Sequence, residues 1–113
     1  MSKYHNRRVT IDGVTLDSQA EGRRYQQLGV LANAGAIQDL IVHPRYELLP
    51  ARTIDGRRER ALYYEGDFSY VEGGRRVCED VKGVETAAFR LKRRLFLDRY
   101  PDIELRVIPA KEV

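Results

Sequence analysis

Two runs rich in β-branched and aromatic residues, Arg60 to Val71 and Arg75 to Val81, flank Glu72-Gly73-Gly74-Arg75, and no other feature narrows the fold as much. The glycine pair marks a tight turn, so the runs predict an antiparallel hairpin. The turn also sets the register. Whether the loop is Gly73-Gly74 or Glu72 to Arg75, paired residue numbers sum to one value, which puts Asp67 directly opposite Asp80. Alternation of period two then places Lys82 on the same face, diagonal to Asp67, while Phe68, Tyr70, Val77 and Val81 form an opposite apolar face. Glu65 falls on the Asp67 face. Glu79 is predicted as a solvent-side charge, and becomes the inward acid only if an odd loop length moves the register by one.

The remaining chain supplies partners for this hairpin. Arg8 to Ile11, Asp12-Gly13 and Val14 to Leu16 read as a short hairpin. A helix is expected from Asp17-Ser18 to about Ala34, with Tyr25, Leu28, Leu31 and Ala32 near helical spacing and Gly35 as its stop. Leu40 to Leu49 is β-prone but interrupted by His43-Pro44, which predicts an edge or bulge there. Ile54-Asp55-Gly56-Arg57 is a turn. Thr86 can cap a second helix to about Arg99, with Ala87, Ala88, Leu91, Leu95 and Phe96 as its apolar side and Pro101 as its end. Ile103 to Ile108 alternates as a last strand. The expected order is β-hairpin, α, three-stranded β meander, α, β: an α/β fold with a mixed sheet flanked by helices, in one domain spanning 1–113.

Composition limits what such a fold can do. At 113 residues there is room for one modest core, and any larger binding surface calls for oligomerisation, with a homodimer placing two sites on two strands. Twenty Lys and Arg against 17 Asp and Glu give a net charge of +3, too small by itself to signal a polyanion partner. Distribution carries more information: basic residues gather at Lys3, Arg7 and Arg8, at Arg57, Arg58 and Arg60, and at Arg90, Lys92, Arg93 and Arg94, as candidate phosphate contacts. On the second helix, Arg90, Arg93 and Arg94 are expected opposite Leu91 and Leu95, and Lys92 nearer the apolar side. The single Cys78 excludes an intramolecular disulfide and a cysteine zinc site, which fits a reducing cytoplasm. No leader-like or membrane-spanning run is expected. His5, His43 and Cys78 have no ligand spacing or nucleophile partner and read as ordinary surface or core residues.

The chemistry lies where the strands end. Two carboxylates opposite each other repel, so Asp67 and Asp80 need a compensating cation, and Lys82 offers one charge where a divalent metal offers two. Hard oxygen ligands suit Mg²⁺ or Mn²⁺, which keep several waters and need few protein carboxylates when phosphate oxygens complete the shell. Asp67 followed by Asp80-Val81-Lys82 resembles the core of the PD-(D/E)xK, restriction-endonuclease-like nucleases. Gly66 stands where a proline is usual, and Asp80 where Glu is commoner. Asp17-Ser18-Gln19-Ala20-Glu21 and Glu79-Asp80-Val81-Lys82-Gly83 are similar to small uncharacterised phage and prophage proteins of that nuclease fold, and to junction-resolving endonucleases.

The resemblance implies Mg²⁺- or Mn²⁺-dependent hydrolysis of DNA phosphodiesters in a bacterial host cell, with structured or duplex DNA as partner. It implies catalytic roles for Glu21, Asp67, Asp80 and Lys82, of which Glu21, Asp67 and Asp80 would hold the metal. Glu21 has a rival role, because Ser18-Gln19-Ala20-Glu21 is also a helix capping box. The rival function is a non-catalytic nucleic-acid-binding module on the same fold.

Overall fold

The computed structural model describes residues 7–113. Asp12 (φ 52°) and Gly13 (φ 79°) make the tight turn between β1 (Val9–Ile11) and β2 (Val14–Leu16). Helix α1 (Gln19–Asn33) follows, and Ser18 Oγ caps it by accepting from the Glu21 amide at 3.1 Å. Its end is a Schellman turn. Gly35 takes φ 79°, the Gly35 amide donates to Ala32 O and the Ala36 amide to Leu31 O, a geometry that favours glycine at that position.

Next come β3 (Gln38–Val42), β4 (Arg45–Leu49), β5 (Arg52–Ile54), β6 (Arg57–Glu59), β7 (Leu62–Glu65), β8 (Phe68–Glu72) and β9 (Arg75–Lys82). Helix α2 (Ala87–Arg99), capped by Thr86 Oγ1 accepting from the Phe89 amide at 3.1 Å, then crosses to β10 (Glu104–Pro109) and a short 3₁₀ turn, Ala110–Glu112. The four-stranded sheet runs β10-β9-β8-β3, with β10 parallel to β9 and the other pairs antiparallel. The fold is therefore α/β, a mixed sheet with two helices, as expected. No helix among the described residues is long and apolar enough to cross a membrane.

Both faces of the sheet are covered. On one, Phe68, Tyr70 and Val77 pack with Leu16, Leu28 and Ile37, so the apolar face anticipated from alternation is the one buried beneath β2 and α1. On the other, Cys78 packs with Leu48, Tyr64, Phe89 and Phe96, which brings in α2. The apolar side of α2 differs from expectation: Phe89 and Phe96 are its buried residues, Leu95 packs beside them, and Leu91 is 62% exposed. Aromatic rings at positions seven apart, two helical turns, outweigh the aliphatic pattern because Tyr46, Tyr64 and Tyr100 stack around Phe96.

The long strands expected at 40–49 and 60–71 are each broken at the same level. β3 with β8, and β4 with β7, form two lengths of one antiparallel ribbon, divided at His43-Pro44 on one side and Gly66-Asp67 on the other. Across the break the His43 amide donates to Asp67 O and the Gly66 amide to Pro44 O, both at 2.9 Å. Beyond it the chain continues into the hairpin β5–β6, turned by Asp55-Gly56, in which every residue is exposed.

Gly66 is required by this break. A Cβ there would lie 2.5 Å from Cys78 Sγ and 3.3 Å from Pro44 Cγ, inside a buried layer with no room to yield. Gly66→Ala is expected to lower stability by about 1–3 kcal/mol, the usual cost of overpacking. Chemical denaturation measures it, and adding Cys78→Ala should restore part of the loss by removing the clashing sulfur.

Candidate functional site

The ribbon break, the C-terminal end of β9 and the first turn of α1 open on one cleft of about 640 Å³. Five carboxylates line it (Asp17, Glu21, Glu65, Asp67 and Asp80) against two cations, Arg7 and Lys82, with His43 between. Asp67, Asp80 and Lys82 thus come together at one place, as the hairpin register anticipated.

The register holds up to the break and no further. Phe68 faces Glu79, but Asp67 does not pair with Asp80 in the ladder; its amide donates to Glu79 O at 2.9 Å because the chain is already bending. The Asp67 side chain takes over the bond the ladder loses: its Oδ2 accepts from the Val81 amide at 2.7 Å. The bend also inverts the alternation. Tyr64, rather than Glu65, turns to the Asp80 side, and its buried hydroxyl donates to Asp80 Oδ2. Lys82 Nζ lies 3.7 Å from Asp80 Oδ1 and 4.6 Å above the Phe89 ring. Glu65 stays exposed at the rim.

Glu79 is not the solvent-side charge expected of it; it shares the face of Val77 and Phe68. It is fully buried beneath α1, where Arg24 donates Nε to Oε1 at 2.8 Å and Nη2 to Oε2 at 2.6 Å, and the Tyr70 hydroxyl donates to Oε2. The helix that covers this face brings its own counter-charge, which a strand pattern cannot reveal.

Glu21 is 94% buried, and of the expected capping box the described hydrogen bonds contain only the Ser18 half, without a return bond from the Glu21 side chain to the Ser18 amide. Its amide receives the Ser18 cap, while its Oε1 sits 3.5 Å from His43 Nε2 inside the cleft. His43, which spacing marked as ordinary, is held there by a left-handed backbone (φ 55°) at the ribbon break. His43 Nε2 also lies 3.8 Å from Asp17 Oδ2. Among the described residues, Glu21 Oε1, His43 Nε2 and Asp80 Oδ1 are buried atoms without a hydrogen-bond partner.

Crowded carboxylates out of water resist ionisation. Asp67 is pushed up to about 8, first by burial and then by Asp80 and Glu21, against the opposing pull of the Val81 amide and Lys82. Burial raises Asp80 as well, opposed by the Tyr64 hydroxyl and Lys82, and raises Glu21, with Asp17 adding to it. Cys78, just behind, is pushed up to about 12 by burial and is a core thiol rather than a nucleophile.

A family model described as Protein of unknown function (DUF1064) matches residues 1–112. The chain belongs to the DUF1064 family. No curated protein and no solved structure matches it.

In this DUF1064 chain the donor set fits a divalent cation. Orphaned carboxylate oxygens, depressed acidity and an excess of negative lining are what a bound cation would relieve. Donor atoms of Asp17, Glu21 and His43 all lie within 4.8 Å of one another; Glu21, Asp67 and Asp80 do not form such a close trio among the described residues.

The basic residues are arranged otherwise. Arg7 lines the cleft, and exposed Arg8 reaches 3.9 Å from Asp17; Lys3 lies outside the described residues. On α2, Arg90 donates to Glu85 O at 2.7 Å, Arg93 pairs with Glu85 at 3.1 Å and Arg94 with Asp98 at 3.2 Å. Lys92 is half-buried but does not line the cleft, which α2 reaches through its N-cap, Thr86.

Proposed function

We propose that this protein is a metal-dependent endodeoxyribonuclease whose catalytic groups are Glu21, Asp67, Asp80 and Lys82. The observation that carries the reading is the meeting of Asp67, Asp80 and Lys82 at neighbouring strand ends in one acidic cleft, with Glu21 entering from α1. A hydrolase for phosphodiesters needs acids that hold a cation and a positive group beside them, and these residues supply both.

Asp67 and Asp80, with Glu21, would hold Mg²⁺ or Mn²⁺, which would supply charge to the scissile phosphate and acidify water. The packing of Lys82 on Phe89 and its contact with Asp80 fix the ammonium near the carboxylates, where it can orient the attacking water. Tyr64 holds Asp80 in place through its hydroxyl. The N-terminal ends of both helices, at Ser18 and Thr86, open on the same cleft, and such ends favour a phosphate group.

DNA with branched, flap, duplex and single-stranded structure, incubated with the protein in Mg²⁺ or Mn²⁺, tests the reading directly. Cleavage is expected, and Asp80→Asn is expected to abolish it. Cleavage of none of these substrates, or cleavage that survives Asp80→Asn, overturns it.

A second reading draws on the β5–β6 hairpin, where Arg52, Arg57 and Arg58, followed by Arg60, are all exposed on a projecting arm. Such an arm suits a module that binds nucleic acid without cutting it. Binding that falls steeply with salt but is indifferent to metal, in the absence of cleavage, favours that reading.

A further inference from the structure

The acid trio assigned to catalysis leaves one part of the cleft unexplained. At its α1 end, Asp17 just before the helix, Glu21 in its first turn and His43 at the ribbon break converge from three points of the chain. His43 Nε2 stands 3.5 Å from Glu21 Oε1 and 3.8 Å from Asp17 Oδ2. An ion with bonds of roughly 2.0–2.1 Å in tetrahedral geometry separates its ligand atoms by roughly 3.3–3.4 Å, so small side-chain adjustments bring all three into range. Glu21 is 94% buried with Oε1 unpartnered, and His43 Nε2 is a buried nitrogen without a partner. A carboxylate oxygen and an imidazole nitrogen that face each other, both buried atoms without a hydrogen-bond partner, are donors that a cation would satisfy.

We propose that Asp17, Glu21 and His43 hold a divalent transition-metal ion of their own, beside the ion assigned to Asp67 and Asp80. The ligand chemistry separates the two places. Carboxylates alone suit Mg²⁺, whereas an imidazole with two carboxylates favours Mn²⁺, Co²⁺ or Zn²⁺. Three protein ligands leave coordination positions open toward the cleft. Glu21 has a second oxygen, so its contribution here does not exclude one to the neighbouring ion. The site stands on its own geometry and not on cleavage, so the two proposals can fail separately.

The test is Mn²⁺ binding followed by electron paramagnetic resonance on the full chain near neutral pH, without any nucleic acid. Bound Mn²⁺ is expected to show hyperfine coupling to an imidazole nitrogen. His43→Asn should abolish that coupling, because asparagine tolerates the left-handed backbone but cannot reach the ion. Asp80→Asn should leave it intact. Zn²⁺ should displace the coupled Mn²⁺ at far lower concentration than Mg²⁺ does. Asp17→Asn, at an exposed position, should weaken the coupled site by more than roughly tenfold. Absence of nitrogen coupling at saturating Mn²⁺, or coupling that persists in His43→Asn and so arises from His5, overturns the proposal. If only cleavage is absent while the coupling is present, the nuclease reading fails and the metal site stands.

Discussion

Arg24→Ala is expected to cost about 3–5 kcal/mol of stability, because it leaves a carboxylate stranded in the core. Glu79 is fully buried and receives both ends of the Arg24 guanidinium, with Tyr70 as its third donor. Removing the arginine leaves the buried carboxylate with the Tyr70 hydroxyl as its one direct side-chain donor; the nearest other cation, Arg106, reaches that hydroxyl and not Glu79 itself. Against a total of roughly 5–15 kcal/mol for a domain of this kind, the loss is a large fraction. Urea unfolding should report a lower midpoint with the slope little changed. Arg24→Lys keeps the charge but loses the two-pronged geometry, and should fall between. The double variant Arg24→Met, Glu79→Leu should recover most of the loss, since the penalty belongs to the unpaired charge and not to the missing attraction. A cost for Arg24→Ala below about 1 kcal/mol, the range of a surface pair, would mean that Glu79 is hydrated in the folded chain.

That pair also marks where sequence reasoning reaches its limit. The Gly73-Gly74 turn made the pairing of Phe68 with Glu79 and of Tyr70 with Val77 legible, because register follows from local turn geometry. Helix ends were legible for the same reason: Ser18, Gly35, Thr86 and Pro101 act within a few residues of themselves. Glu79 was not, since its environment is made by a helix that begins sixty residues earlier. Tyr64 was hidden by the bend at Gly66-Asp67, which reverses the alternation that would have turned it from Asp80. The one trace of that bend is a glycine where an uninterrupted strand would not need one. The place of His43 in the cleft was not legible, because ligand spacing along the chain says nothing about residues brought together across a ribbon break. Its following proline did flag the irregularity, but not the direction in which the imidazole would point.

Asp67→Asn is expected to make the metal-free protein more stable at pH 8 and, under the nuclease reading, to destroy its activity. The ordinary value for this carboxyl is 3.8, and in the folded chain it is pushed up to about 8 by burial beside Asp80 and Glu21. Between those limits the folded state keeps a proton that the unfolded state has released. Stability from this group is therefore complete below 3.8 and is eroded as pH rises, until it is lost above about 8. Asp67 and Asp80 titrate as a pair, so the loss on the alkaline side belongs to the cluster, and Asp67→Asn removes the part of it that depends on a second carboxylate. Asparagine carries no charge to bury and retains an oxygen for the Val81 amide, which now donates to Asp67 Oδ2 at 2.7 Å. Thermal unfolding in chelator across this pH range should therefore show a shallower decline for the variant, with the residual slope left to Asp80 and Glu21, whose values are also raised. Saturating Mg²⁺ or Mn²⁺ should reverse the order: the wild type gains about 2.7 kcal/mol at a hundredfold excess over its dissociation constant, and the variant gains much less. If the variant is instead the less stable protein at pH 8 in chelator, Asp67 serves the fold through its charge. The crossing of the two stability curves on adding metal is the signature that distinguishes a carboxylate kept for a cation from one kept for the core.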